Sequence, residues 1–206
     1  MVQDSPQAAA PRSGTQVSDE QLVAALRAAR KAGLETIVKP QLLVPGAWAG
    51  EIDPPDHKAW FAAYRAQLLH YARIARRERA AALVIGTELS RLEASREWEQ
   101  LITEVRQVYQ GKLTYAAHGI EGVRRFAHWQ RLDAVGVSLY PSLGEVAEPG
   151  RIRERMEGAL GELESATVGT GPVWLLEIGQ PAAADSLARP WDWHYLEESG
   201  VRVDTG

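Results

Sequence analysis

Two apolar runs in this chain end in carboxylates. Ala82-Leu83-Val84-Ile85-Gly86-Thr87 leads into Glu88, and Val173-Trp174-Leu175-Leu176 leads into Glu177, followed by Ile178-Gly179. Runs of this length bounded by helical segments read as parallel strands buried on both faces. A glutamate at the end of such a strand is poorly explained by packing, because Glu is rarely buried unless paired. Two glutamates brought together from separate strands of one barrel are the equipment of glycoside hydrolysis, in which one carboxyl group handles the proton and the other the anomeric carbon.

The elements that must position them alternate strand with helix. Met1 to Gln16 is rich in Ala, Pro, Gln and Ser and reads as a loop or disordered lead-in, with one barrel-like domain over residues 17–206. Ser18 and Gln21 form a capping box that opens a helix over 18–32, stopped by Gly33. A strand is expected over Thr36–Leu42, then a Gly/Pro-rich loop with Trp48, in which Asp53 and Asp56 read as turn residues. Trp60, Tyr64, Leu68, Tyr71 and Ala75 recur at helical spacing and place a long helix over 57–79. Beyond the strand ending at Glu88, helices are expected over 95–109, 121–129, 151–165 and 191–199. Strands are expected over 113–117, 134–140, 173–178 and, as a stub, 201–203.

Such alternation requires a parallel sheet with crossover helices, either a doubly wound open sheet or a β/α barrel. No Gly-rich phosphate loop follows a strand, which weighs against the nucleotide-binding version. The carboxylates, aromatics and histidine fall at strand C-terminal ends, where a barrel puts its chemistry.

Composition narrows the function. The chain has 206 residues, enough for one domain that buries about 70% of its unfolded surface. A net charge of -4 with no basic stripe gives no footprint for nucleic acid. Cysteine is absent, which removes disulfide and thiol chemistry but leaves the compartment open. No run approaches a membrane span, and Met1 to Gly14 has no signal-peptide apolar core. No His-x-x-x-His or carboxylate cluster stands at metal spacing, and the expected chemistry uses neither metal nor cofactor. Gly-x-Ser-x-Gly does not occur, which disfavours a serine hydrolase.

The runs Ile85-Gly86-Thr87-Glu88-Leu89, Leu113-Thr114-Tyr115-Ala116-Ala117, Leu132-Asp133-Ala134-Val135-Gly136-Val137, Tyr140-Pro141, Leu176-Glu177-Ile178-Gly179 and Pro190-Trp191-Asp192-Trp193, with Val38-Lys39-Pro40 before them, resemble glycoside hydrolase family 113 in order and spacing. The resemblance covers about Ser18 to Trp193. It implies a (β/α)8 barrel of the clan A retaining glycosidases and an activity like endo-β-1,4-mannanase. It also implies that Glu88, ending the fourth strand, is the acid/base and Glu177, ending the seventh, the nucleophile. Two further strands between them fit that count. On this numbering the chain starts after the second strand, so the barrel is expected to be incomplete, with strands three to seven and a stub of eight. Open sheet edges would then invite self-association. The resemblance implies Asn where this chain carries His118.

Each candidate also has a plainer reading. Glu88 could pair with Arg91, and Glu177 with Lys39, although desolvation makes such buried pairs weak stabilisers. Tyr140, by resemblance a donor to Glu177, could be a core ring with a satisfied hydroxyl. His118 could hold a sugar hydroxyl, orient Glu88, or be structural. Lys39 could bind substrate or form a salt bridge. Trp48, Trp191 and Trp193 lie in rim loops where indoles stack on sugar C–H faces. Trp60, Trp98, Trp129 and Trp174 read as core, and Asp133 as structural. The leading expectation is a retaining glycosidase acting on a carbohydrate, its two carboxyl groups about 5–5.5 Å apart. The alternative is a catalytically impaired carbohydrate-binding remnant, or a fragment that needs a partner to complete its barrel.

Overall fold

The computed structural model describes residues 1–14, 16–145, 148–180 and 184–192. Five strands, β1 (Ile37–Val38), β2 (Ala82–Thr87), β3 (Lys112–His118), β4 (Val135–Leu139) and β5 (Val173–Ile178), form one sheet. All four pairings are parallel, and the spatial order is the chain order. Helices α1 (Asp19–Lys31), α2 (His57–Arg77), α3 (Glu97–Val108), α4 (Gly119–Arg125) and α5 (Pro149–Ala166) alternate with them. A doubly wound sheet reverses its strand order at a switch point. This one never reverses. It also cannot be flat. Four inter-strand spacings would separate β1 from β5 by about 19 Å, yet Lys39, just after β1, forms an ion pair with Glu177 on β5. The sheet therefore curls, and the five strands make part of a β/α barrel.

Local sequence chemistry sets the helix ends. Ser18 and Gln21 complete the capping box of α1, with both side chains bonded to the opposite backbone N–H. Asp56, read from sequence as a turn residue, caps α2 by accepting from Ala59 N–H at 2.9 Å. The outer faces of β2 and β3 are sealed by aromatics. Trp60, Tyr64, Trp98, Tyr115 and Phe126 are all buried. Trp98 meets Phe61, Tyr115 and Phe126 edge-on at 5.1–5.6 Å, and Tyr115 stacks on Phe126 at 4.4 Å. Their polar atoms are satisfied too, with Trp98 Nε1 donating to Leu92 O and Tyr64 Oη to Ile85 O, each at 2.8 Å. Gly86 makes this possible, since a Cβ there would lie 2.8 Å from the Trp98 ring.

Several expectations are corrected. β1 covers two residues rather than seven, because Pro40 has no N–H to give a ladder. The helix expected over 121–129 stops at Arg125. Phe126 takes an extended conformation that sends its ring onto Tyr115, and a single turn follows at Trp129–Arg131. β5 is not buried on both faces. Leu175 and Ile178 are 44% and 52% exposed, because β4 is the only strand paired with it among the described residues. Trp174, expected in the core, is half-buried with Lys112 Nζ 5.7 Å from its ring centre. Residues 1–14 form a loop tied to the domain: Val2 bridges to Arg12 and Leu43, and the buried Gln3 side chain accepts from Trp60 Nε1 at 2.7 Å. Trp193, most of the helix expected over 191–199 and the stub at 201–203 lie outside the described residues. No helix among those described is long and apolar enough to cross a membrane.

Trp98 is the keystone of the aromatic layer behind Glu88. Trp98→Ala is expected to destabilise the domain by about 3–5 kcal/mol, read as a shift in the urea unfolding midpoint. An unshifted midpoint would contradict this packing.

Candidate active site

In a parallel sheet all strand C-terminal ends share one rim. Here each strand delivers one polar residue to it. Lys39 follows β1, Glu88 follows β2, His118 ends β3, Tyr140 follows β4 and Glu177 lies near the end of β5. Glu88, His118, Tyr140 and Glu177 line one cleft of about 740 Å³ with Trp48, Trp191 and the loop residues Gly46, Ala47 and Glu51. Trp48 and Trp191 expose 40% and 52% of their surface, which leaves indole faces available to a ligand.

Glu177 is surrounded by donors. Lys39 Nζ donates to its Oε1, Tyr140 Oη donates to its Oε2 at 3.0 Å, and Gln41 Nε2 reaches Oε1 at 3.4 Å. An ionised carboxylate only accepts, so all three contacts fit that form. Burial, then the hydrogen bond to Glu177, push the Tyr140 phenol up to about 12, so it remains a donor. The ion pair with Lys39 that the sequence raised as the plainer reading is present. It stands inside the cleft rim rather than in a core.

Glu88 is held differently. Its backbone takes a left-handed φ of +52°, uncommon for a residue with a side chain. Its N–H donates to Ala116 O at 2.8 Å, where the β2–β3 register shifts. Trp48 Nε1 donates to Oε2 at 2.8 Å, and His118 Nδ1 lies 3.3 Å from Oε1. Arg91 does not pair with Glu88; its guanidinium faces Asp53 at 3.8 Å. Trp48 and His118 also touch edge to face, with ring centres 4.6 Å apart. A general acid is expected to have a raised pKa, and in this unliganded state Glu88 does not. Burial is the largest single influence and acts upward, but the contributions of His118, Trp48 and Ser138 together outweigh it and hold the carboxyl below its ordinary value. His118 is shifted the other way. The contact with Glu88 raises it, against a smaller lowering by burial. The two shifts run in opposite directions because each group favours the charged form of the other.

Of the sequence candidates, seven lie together at this rim: Lys39, Trp48, Glu88, His118, Tyr140, Glu177 and Trp191. Asp133 is structural, accepting from Leu113 N–H and Arg106 at the other end of the sheet. Sequence reasoning missed Gln41. It stands two residues beyond Lys39, and in extended chain alternate residues share a side.

The sequence profile of glycoside hydrolase family 113 matches residues 2–203. The chain belongs to glycoside hydrolase family 113. Three solved structures of the family share its fold. One is a GH113 β-mannanase from Alicyclobacillus acidocaldarius, in complex with ManMIm, at 27% identity and a TM-score of 0.79 over 93% of this chain. The others are GH113 β-1,4-mannanases at 25% and 23% identity, each with a TM-score of 0.78, over 93% and 98% of this chain. This GH113 chain spans 62%, 63% and 71% of their respective lengths. No curated protein matches it.

The Glu88–His118 pair predicts a pH signature in this GH113 chain. Glu88 is depressed, so its stabilising share is present above the ordinary carboxylate value of 4.5 and lost as pH falls through the depressed value. His118 is raised, so its share is present below the ordinary imidazole value of 6.5 and lost as pH rises through the raised value. In thermal melts, the stability advantage of the native chain over His118→Asn should peak between those two values and decline on both sides. A pH-independent difference would contradict the pairing.

Proposed function

We propose that this chain is a retaining β-glycoside hydrolase acting on a β-1,4-mannan-type polysaccharide or oligosaccharide. The observation that carries the reading is that Glu88 and Glu177, from strands three positions apart, line one cleft with exposed indoles. The sugar is suggested by the mannanases to which the chain is similar. A β-linked sugar lies between the carboxyl groups, stacked on Trp48 and Trp191.

In the first step a Glu177 oxygen attacks the anomeric carbon. The bond from that carbon to the glycosidic oxygen breaks, and Glu88 in its acid form gives that oxygen its proton. The leaving sugar departs as an alcohol, and a glycosyl ester remains on Glu177. In the second step the Glu88 carboxylate takes a proton from water. The water oxygen attacks the anomeric carbon, the ester bond breaks, and Glu177 is released as carboxylate with net retention. Lys39 and Tyr140 hold Glu177 in place and stabilise its charge before attack and after release. When protonated, His118 Nδ1 lies against Glu88 Oε1 and can pass its proton to that oxygen, leaving a neutral imidazole and the acid form of Glu88. A sugar that displaces the imidazole from Oε1 would remove the contact that depresses Glu88 and favour the acid form. The carboxyl groups are expected about 5–5.5 Å apart in the productive complex.

A second reading has its own support. In the unliganded cleft Glu88 is held below its ordinary value rather than above it, the opposite of what a general acid needs, which suits a carbohydrate-binding remnant that does not turn over. Glu88→Gln separates the two. For a hydrolase it should lower turnover of unactivated oligosaccharides by about 10²–10⁴-fold and affect activated aryl glycosides far less, because a good leaving group needs no proton. Glu177→Gln should abolish both. Full activity in either variant would reject the assignment, and oligosaccharide binding without turnover by the native chain would favour the remnant.

A further inference from the structure

Behind the cleft lies a buried carboxylate that the two-glutamate chemistry does not use. Glu93, in the turn after Glu88, is fully buried. One of its oxygens faces Arg125 Nε of α4 at 3.1 Å; the other accepts from Tyr115 Oη at 3.3 Å. Space is kept for it by Gly122, where a Cβ would come within 2.9 Å of Glu93 Oε1. As a stabilising device this is poor. The Arg125 side chain is half exposed, so its attraction is screened, while Glu93 bears the whole desolvation cost.

Its contacts lead back to Glu88. The Tyr115 hydroxyl gives its hydrogen to Glu93 and accepts from the N–H of Leu89, the residue after Glu88, at 2.8 Å. Tyr115 itself is fixed by stacking on Phe126 and by Trp98 at its edge. A left-handed residue with a side chain costs about 1–3 kcal/mol and persists only where its surroundings over-determine it. At Glu88 that constraint has three parts: its own N–H on Ala116 O, Ser90 N–H on its carbonyl, and Leu89 N–H on Tyr115. Only the last is oriented by an ionisable group.

We propose that Glu93 is a positioning residue for the acid/base Glu88, acting through Tyr115 on the backbone and through its charge on His118. This rests on the reading of Glu88 as the acid/base. The charged groups acting on the imidazole are Glu88 from the end of β2, Glu93 from the turn beyond it and Arg125 from α4; burial pushes the Glu93 carboxyl itself up, and Arg125, Tyr115 and His118 act against that rise to favour its charged form. The two carboxylates favour the imidazolium, and Arg125 opposes it. Glu93 thereby helps keep a proton beside Glu88 while lying out of reach of the sugar.

The test uses the full chain with Glu93→Gln, which keeps shape and an acceptor but loses the charge, and Tyr115→Phe, which loses the hydroxyl. The His118 imidazole is titrated by NMR, and exchange of the Leu89 amide hydrogen is followed, both without substrate. Glu93→Gln should move the His118 midpoint to lower pH, and Tyr115→Phe should speed Leu89 exchange about tenfold or more. Where the chain turns over a β-mannan oligosaccharide, both variants should lower kcat by roughly 10–100-fold with KM nearly unchanged, as expected for a displaced catalytic group. An unmoved His118 midpoint in folded Glu93→Gln would overturn the proposal. So would unchanged Leu89 exchange in Tyr115→Phe, which decides the matter should Glu93→Gln not fold. A native chain with no turnover would count against the glycosidase reading alone, since both NMR readouts are independent of substrate.

Discussion

The contact between Lys39 and Glu177 is the constraint from which the site follows. It joins residues 138 positions apart, at the two ends of the five-stranded order. A flat sheet would hold them farther apart than a lysine and a glutamate can reach together. Curling the sheet closes that gap and turns the rim of all five strands inward. Glu88, His118 and Tyr140, on the strands between, then face a common space instead of a line. The same contact gives Glu177 a cationic partner at the rim, where Tyr140 supplies its second donor.

The two glutamates are held in unlike ways, and the difference has chemical content. Glu177 is bound by a lysine and by a phenol that burial and the hydrogen bond to Glu177 push up to about 12. Glu88 is bound by an indole, which is a fixed donor, and by an imidazole, which is not. One carboxylate therefore sits in a permanent field and the other in a field that depends on pH and on what occupies the cleft. On the proposed mechanism that division suits a nucleophile, which should remain a carboxylate, and an acid/base, which must change its protonation twice per turnover.

Much of this arrangement was legible in the residue order. The capping box at Ser18 and Gln21, the apolar stripe from Trp60 to Ala75 and the glutamates closing Ala82–Thr87 and Val173–Leu176 are local signals, and the elements they mark are present. The barrel class followed from alternation together with the placement of polar residues at strand ends. What escaped depends on distant neighbours. The exposure of Leu175 and Ile178 is set by which strands flank β5, and no window of sequence around them carries that information. The direction of the Glu88 shift is set by His118, Trp48 and Ser138, which lie 30 or more positions away in the chain, so the local run ending at Glu88 does not carry it. Glu93 has no local sequence signal, and its contacts are visible only once Tyr115 and Arg125 are seen on either side of it.

The central claim is that Glu177 attacks the anomeric carbon from across a cleft it shares with Glu88. The most direct measurement is to incubate the chain with a 2-deoxy-2-fluoro-β-mannoside bearing an activated leaving group, then digest it and map the covalent adduct by mass spectrometry. Fluorine at carbon 2 destabilises the oxocarbenium-like transition states, and the activated leaving group lets the ester form faster than water removes it. The account predicts one sugar per chain, on the peptide that carries Glu177. An adduct on a different residue, or product of inverted configuration from a natural oligosaccharide, would contradict it.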